Sequence, residues 1–191
     1  IGYDHAFGKN REGNIDYLMK LSEKTGIIVN RVDEEVCDNE VISSTFLRGE
    51  IDNGNMNMVT RLLGRRYSLT GKVIKGAGRG KGLGFPTANI FPDYPEKIVP
   101  GNGIYAASII FSNNSLYHGM LNIGYNPTFD GKERSIEINI FDFNKDIYDE
   151  TVTIEFHEKI SDEIKFDSVE SLVRQIKMDE VQIWEIFQNE R

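Results

Sequence analysis

Between residues 67 and 157 the chain carries five short runs, YSLTGKVIK, GIYAASIIF, SLYHGMLNI, SIEINIFDF and TVTIEFH, each rich in β-branched and aromatic residues and separated by Gly, Pro and Asn. That punctuation constrains the fold more than any other feature, because it reads as a series of short strands joined by tight connections. Where the alternation is clean, Ile136, Ile138 and Ile140 share one face while Glu137 and Asn139 take the other; Val152, Ile154 and Phe156 repeat the pattern. Five or six such strands within about 95 residues predict a small antiparallel barrel or sandwich. The chain then ends in a helix. Val169, Leu172, Val173 and Ile176 recur at i, i+3, i+4 and i+7, and Asp167 with Glu170 forms the predicted N-terminal cap pair. A β-barrel with one covering helix is the expected arrangement.

Upstream the pattern differs. Residues 1–5 and 26–31 read as short strands, and Asn14 to Lys24 between them reads as a helix through Ile15, Leu18, Met19 and Leu21. Strand, helix, strand is an α/β unit, too small to close a sheet of its own, so it is expected to be the remnant of a larger domain. The segment GEIDNGNMNMVTRLLG predicts a polar link and a short helix ending near Gly64. The expected domains are therefore 1–64 and 65–191, and the expected class is α+β.

Composition narrows the function. With 39% hydrophobic and 27% charged residues, the 191-residue chain matches ordinary globular proteins rather than disordered or fibrous ones. No apolar run approaches the roughly 18–20 residues that span a bilayer. The single Cys37 excludes an internal disulfide and a cysteine metal cage, and predicts a reducing, cytoplasmic setting. No leader peptide is visible, and the absence of an initial Met suggests a segment of a longer protein. The net charge of −8 is uneven: residues 53–92 hold seven Lys and Arg and no acid, between two acidic flanks. An acidic chain is a poor non-specific nucleic-acid binder, whereas a short basic island suits a small anion. His5, His118 and His157 show no metal-ligand spacing, and the acidic run DEEVCDNE disfavours a reactive Cys37 thiolate. Trp184 and Phe187 stand at helical spacing and are expected to be core or interface rather than a stacking site.

The chemistry concentrates in Gly76-Ala-Gly-Arg-Gly-Lys-Gly-Leu-Gly84, followed by Phe85-Pro-Thr-Ala-Asn89. Five alternate glycines (Gly76, Gly78, Gly80, Gly82 and Gly84) leave backbone N–H groups free to line a concavity. Arg79 and Lys81 add positive charge, so a polyphosphate is the natural guest. Neither familiar phosphate-loop pattern fits, since Lys81 precedes Gly82 rather than Ser or Thr. A flexible hairpin loop would carry the same glycines. Pro86 stiffens the exit, and Thr87 and Asn89 alternate, so two neutral oxygens on one face could hold Mg²⁺ beside phosphates.

Leu83 to Asn89, preceded by this loop, resembles the flavokinase signature. The resemblance continues in order through Gly103-Ile-Tyr105, Asn122-Ile-Gly124, Pro127-Thr128, Glu133-Arg-Ser-Ile-Glu137, Phe141-Asp-Phe143 and Lys165-Phe-Asp-Ser168. Residues before 65, through Gly2-Tyr-Asp4, Phe7-Gly-Lys9 and Ile42-Ser-Ser-Thr45 with Arg48, resemble the end of the partner module in bacterial bifunctional riboflavin kinase/FMN adenylyltransferases. The resemblance implies a split-barrel kinase that moves the ATP γ-phosphate to the riboflavin 5′-hydroxyl, giving FMN. It implies Glu137 as base, Thr87 and Asn89 as Mg²⁺ ligands, the glycine loop with Arg79, Lys81 and Pro86 at the nucleotide, and Asn122 near the flavin. It also implies small-molecule partners rather than nucleic acid or membrane, and leaves the oligomeric state open. The family pattern departs at Phe46, Asn139 and Ser161, where relatives commonly carry Arg, His and Arg. The His-containing nucleotide motif of the adenylyltransferase is absent, so this segment is not expected to make FAD, whereas a full-length parent is. Without the family, Glu137 would read as an outward residue on an amphipathic strand and Arg134 as a surface charge; a non-catalytic flavin or nucleotide module is the alternative.

Overall fold

The computed structural model describes residues 6–37, 40–76, 79–128 and 131–190, with the side chains of 79, 81, 126–128 and 131–133 left undescribed. The chain divides into two compact units, 1–44 and 45–191. In the first, α1 (Ile15–Thr25) is capped by Asn14, whose side chain accepts from the Tyr17 amide at 3.0 Å, and it stops at left-handed Gly26. A two-residue ladder joins β1 (Val36–Cys37) to β2 (Glu40–Val41). The strand expected at 26–31 does not form. Ile28 is 85% exposed, so no apolar layer covers that segment. The one expected at 1–5 lies outside the described residues.

The second unit opens with α2 (Ser44–Asn53) and α3 (Met56–Leu63), joined at Gly54 with φ 76°. The segment expected as a polar link is thus largely helical. Ile51, Met56 and Val59 are buried in the barrel's own core, which places the expected 64/65 boundary inside this unit.

Six antiparallel strands follow: β3 (Ser68–Ile74), β4 (Ala88–Pro92), β5 (Gly103–Phe111), β6 (Leu116–Thr128), β7 (Gly131–Ile140) and β8 (Thr151–Ser161). They close a barrel in the order β3-β4-β7-β6-β5-β8. The alternation read from sequence fixes which face turns inward. Ile136, Ile138, Ile140, Val152, Ile154 and Phe156 fill the interior with Leu69, Leu121 and Tyr105, whose ring meets Phe156 edge-on at 5.6 Å. The β4–β7 seam is the shortest, pairing Ala88 with Ile138 and Asn89 with Glu137.

A four-residue helical turn, α4 (Arg79–Gly82), sits between β3 and β4. The final helix, α5 (Val169–Asn189), begins one residue later than the expected Asp167 cap, because Ser168 Oγ accepts from the Ser171 amide at 3.1 Å. It covers the outer barrel face through Ile183 and Phe187, packed with Ala106, Met120 and Phe141. Trp184 lies 5.1 Å from the Phe141 ring, so both helical aromatics belong to this packing.

Candidate functional site

Because Ile136 and Ile138 point inward, Glu137 must point out. The ladders place Asn89 of β4 and Asn122 of β6 directly opposite it, so the three side chains form one rung across the outer face. Thr87, two residues before Asn89, shares that side, and its hydroxyl donates to Glu137 Oε2 at 3.2 Å. The next outward residue of β7, Asn139, is buried and donates from Nδ2 to the Pro86 carbonyl at 2.7 Å, which ties the entry of β4 to β7.

Two cavities adjoin Thr87. One, of about 350 Å³, lies between the barrel face and α5. Thr87, Asn122 and Glu137 form its barrel wall, Leu83 and Phe85 come from the loop before β4, and Leu172 and Ile176 from the helix. Ser161 at the end of β8 and Glu163 of the β8–α5 connection complete it. The other, of about 410 Å³, is lined by Pro86, Ala88, Ile140, Phe143, Lys145 and Tyr148. Thr87 lines both and is the residue they share.

The glycine loop packs tightly onto β4. A Cβ at Gly76 would overlap the Asn89 amide, and one at Gly80 would collide with the Phe85 carbonyl. The Gly80 carbonyl accepts from the Leu83 and Phe85 amides at 3.0 and 2.9 Å, and Gly84 turns the chain with φ 85°. Gly82 is exposed, Gly80 lines the first cavity, and Pro86 the second. Gly78 lies outside the described residues, as do the side chains of Arg79 and Lys81. Asn89 lines neither cavity; it is half-buried beneath Gly76.

Arg134 is more than a surface charge. It donates from Nε to Asn102 Oδ1 at 2.8 Å and from its guanidinium to the Val99 and Pro100 carbonyls. Asn102 in turn donates to Glu163 Oε2 at 3.1 Å, so this chain of bonds holds the β8–α5 connection against the cavity. Gly124 leaves room there, since a Cβ would lie 2.8 Å from Glu163 Oε1.

A second polar cluster, not read from the sequence, lies under the far end of α5. Ser108 Oγ is 2.7 Å from His157 Nε2 and 3.2 Å from His118 Nδ1. His157 Nδ1 is 2.9 Å from Glu190 Oε2, and Arg66 reaches Glu190 Oε1 at 2.8 Å. Burial holds His157 below the ordinary imidazole pKa in spite of Glu190. The neutral ring then donates from Nδ1 to Glu190 and accepts the Ser108 proton at Nε2. This is a Ser–His–acid set in outline, but Ser108 is 3% exposed and lines neither cavity, so no substrate reaches its hydroxyl.

Comparison with known proteins places the chain in a family. The riboflavin kinase family model matches residues 63–187, and the FAD synthetase model matches residues 1–46. The bifunctional riboflavin kinase/FMN adenylyltransferase of Haemophilus influenzae is 37% identical over 94% of this chain and 58% of its own length. That of Bacillus subtilis is 36% identical over 100% of this chain and 60% of its own. The Escherichia coli K12 enzyme of the same name is 31% identical over 98% and 59%. The chain therefore spans about three fifths of the length of these relatives. A solved structure titled a macrolide-efflux protein, from Streptococcus pneumoniae, superposes with a TM-score of 0.81 at 37% identity, covering 94% of this chain and 57% of that one. Among the described residues here, no helix is long and apolar enough to cross a membrane.

Proposed function

The chain belongs to the riboflavin kinase family, and we propose that residues 45–191 transfer the γ-phosphate of ATP to the 5′-hydroxyl of riboflavin, releasing FMN and ADP. The observation that carries this reading is the meeting of two cavities at Thr87 beside Glu137. A transfer between two small molecules needs two pockets with one junction, and a carboxylate at that junction can take the hydroxyl proton. In this assignment the apolar cavity under α5 receives the flavin ring, with its ribityl hydroxyl on Glu137. The cavity lined by Phe143 and Tyr148 receives the nucleotide base, and the glycine loop with Arg79 and Lys81 closes over the phosphates.

Glu137 accepts the 5′-hydroxyl proton as the oxygen attacks phosphorus, and the P–O bond to ADP breaks. The Thr87 hydroxyl orients the carboxylate until substrate arrives. Thr87 and Asn89 supply neutral oxygens of the hard kind that suit Mg²⁺, and they would hold it with the phosphates. When bound, the ion neutralises charge on the transferring group. Register supports the assignment of Asn89, which pairs with Glu137 across the β4–β7 ladder.

A longer protein containing this segment would also adenylylate FMN to FAD, as its relatives' names describe; residues 1–46 match the family of that activity. The acidic charge and single cysteine fit a cytoplasmic enzyme of small molecules, without nucleic-acid or membrane partners. The test is direct: incubate the chain with riboflavin, ATP and Mg²⁺ and separate the flavins. FMN is the expected product. Flavin bound without FMN formation would establish the non-catalytic module instead.

A further inference from the structure

The inner face of α5 runs Leu172, Ile176, Asp179, Ile183, Phe187, apolar at every step but one. Asp179 is 5% exposed, and no cation faces it. Its one partner is Gln175, a turn earlier on the same helix, which donates from Nε2 to Oδ1 at 2.8 Å. Burial accordingly lifts the carboxyl pKa, with the Gln175 bond only partly offsetting it. A carboxyl group in that position destabilises the docked helix where a leucine would fit, so its presence asks for a role in binding.

The cavity supplies one. Asp179 and Gln175 both line the space under α5 that receives the flavin in the function proposed above, on which this inference rests. Oδ2 of Asp179 has no protein partner, yet no fully buried polar side-chain atom among the described residues is left unbonded. That oxygen therefore keeps an opening, and the cavity is the space the residue lines. Three other polar side chains around the cavity already have protein partners: Asn139 bonds to Pro86, Asp162 to Lys159, and Glu163 to Asn102. A ribityl flavin with its terminal hydroxyl on Glu137 still carries, on its ring, an imide N–H that needs an acceptor.

We infer that Asp179, oriented by Gln175, is a specificity-determining residue that accepts the imide N3–H of the flavin ring. The apolar side chains of the cavity, Leu83, Phe85, Ile104, Met120, Leu172 and Ile176 among them, grip the ring by shape. Asp179 rejects planar aromatic molecules of similar size that lack the donor, because they leave its carboxyl unsatisfied.

The test compares wild type with Asp179→Leu and Asp179→Asn, using riboflavin and 3-methylriboflavin as probes. Asp179→Leu should raise the KM for riboflavin about 10–100-fold with the KM for ATP unchanged, while its Tm rises by about 2–4 °C. Asp179→Asn, which keeps an acceptor oxygen, should restore riboflavin KM to within about threefold of wild type. In fluorescence titrations, wild type should bind 3-methylriboflavin about 10–100-fold more weakly than riboflavin. An unchanged riboflavin KM in Asp179→Leu, or equal binding of the two flavins by wild type, overturns the inference while leaving the kinase reading standing. Wild type that neither binds flavin nor forms FMN overturns both.

Discussion

Two polar clusters sit on the same outer barrel face, beneath the two halves of one helix, and they have opposite fates. Under the first half of α5, Thr87, Asn122 and Glu137 border a cavity, with Thr87 bonded to Glu137. Under the second half, Ser108, His118, His157 and Glu190 bond to one another and to Arg66, and the Phe187 ring stacks on His118 at 3.8 Å. The second cluster resembles a catalytic arrangement more closely by residue type, yet its Ser108 and His157 are buried. Accessible space, rather than the roster of side chains, separates a site from a strut.

The largest effect that would sharpen this contrast is on turnover. Glu137→Gln keeps an acceptor for Thr87 but removes the base, and kcat for FMN formation should fall about 10²–10⁴-fold. Riboflavin and ATP binding, followed by fluorescence and calorimetry, should persist; loss of binding would move Glu137 from chemistry to architecture. The second cluster should behave inversely. Ser108→Ala leaves His157 Nε2 buried without a donor and should cost about 1–3 kcal/mol in denaturant unfolding, with kcat at saturating substrate unchanged. A fall in kcat without a fall in stability would break the comparison. Smaller still, Asn89→Ala should raise the Mg²⁺ concentration for half-maximal rate about tenfold while riboflavin KM stays fixed, about 1.4 kcal/mol lost from one ligand. An unmoved requirement would remove Asn89 from the metal.

How far the sequence foretold these clusters depends on the distance over which each is specified. The barrel was legible because alternation is local: Ile136, Ile138 and Ile140 turn inward on sight, which leaves Glu137 outside. Register was not legible, so nothing in the chain announced that Asn89, Glu137 and Asn122 share a rung. The helix α2 escaped notice because Leu47 and Ile51 are its only apolar anchors to the core among many polar residues. Arg134 looked like surface charge because its acceptors, Val99, Pro100 and Asn102, lie more than thirty residues away. Ser108 and His157 are 49 positions apart and meet only through the β5–β8 ladder. Asp179 left a local trace, a charge within an apolar helical stripe, but its meaning depends on which face of α5 docks.

The smallest predicted effect probes the second cluster through pH. His157 takes up a proton less readily folded than unfolded, chiefly because it is buried. The unfolded chain therefore binds a proton below the ordinary value of 6.5 that the folded chain refuses, so stability declines as pH falls from about 6.5 toward the lower folded pKa. Glu190 acts in the same direction in a lower window. Although burial opposes its ionisation, the bonds from His157 and Arg66 hold its pKa below 4.5, and its contribution is lost as pH falls beneath that value. His157→Gln keeps a side chain able to bond Ser108 but cannot titrate. It should flatten the decline that sets in below about pH 6.5 while leaving the one below 4.5, as read from urea midpoints across pH. The upper decline surviving in His157→Gln would show that His157 is not its source.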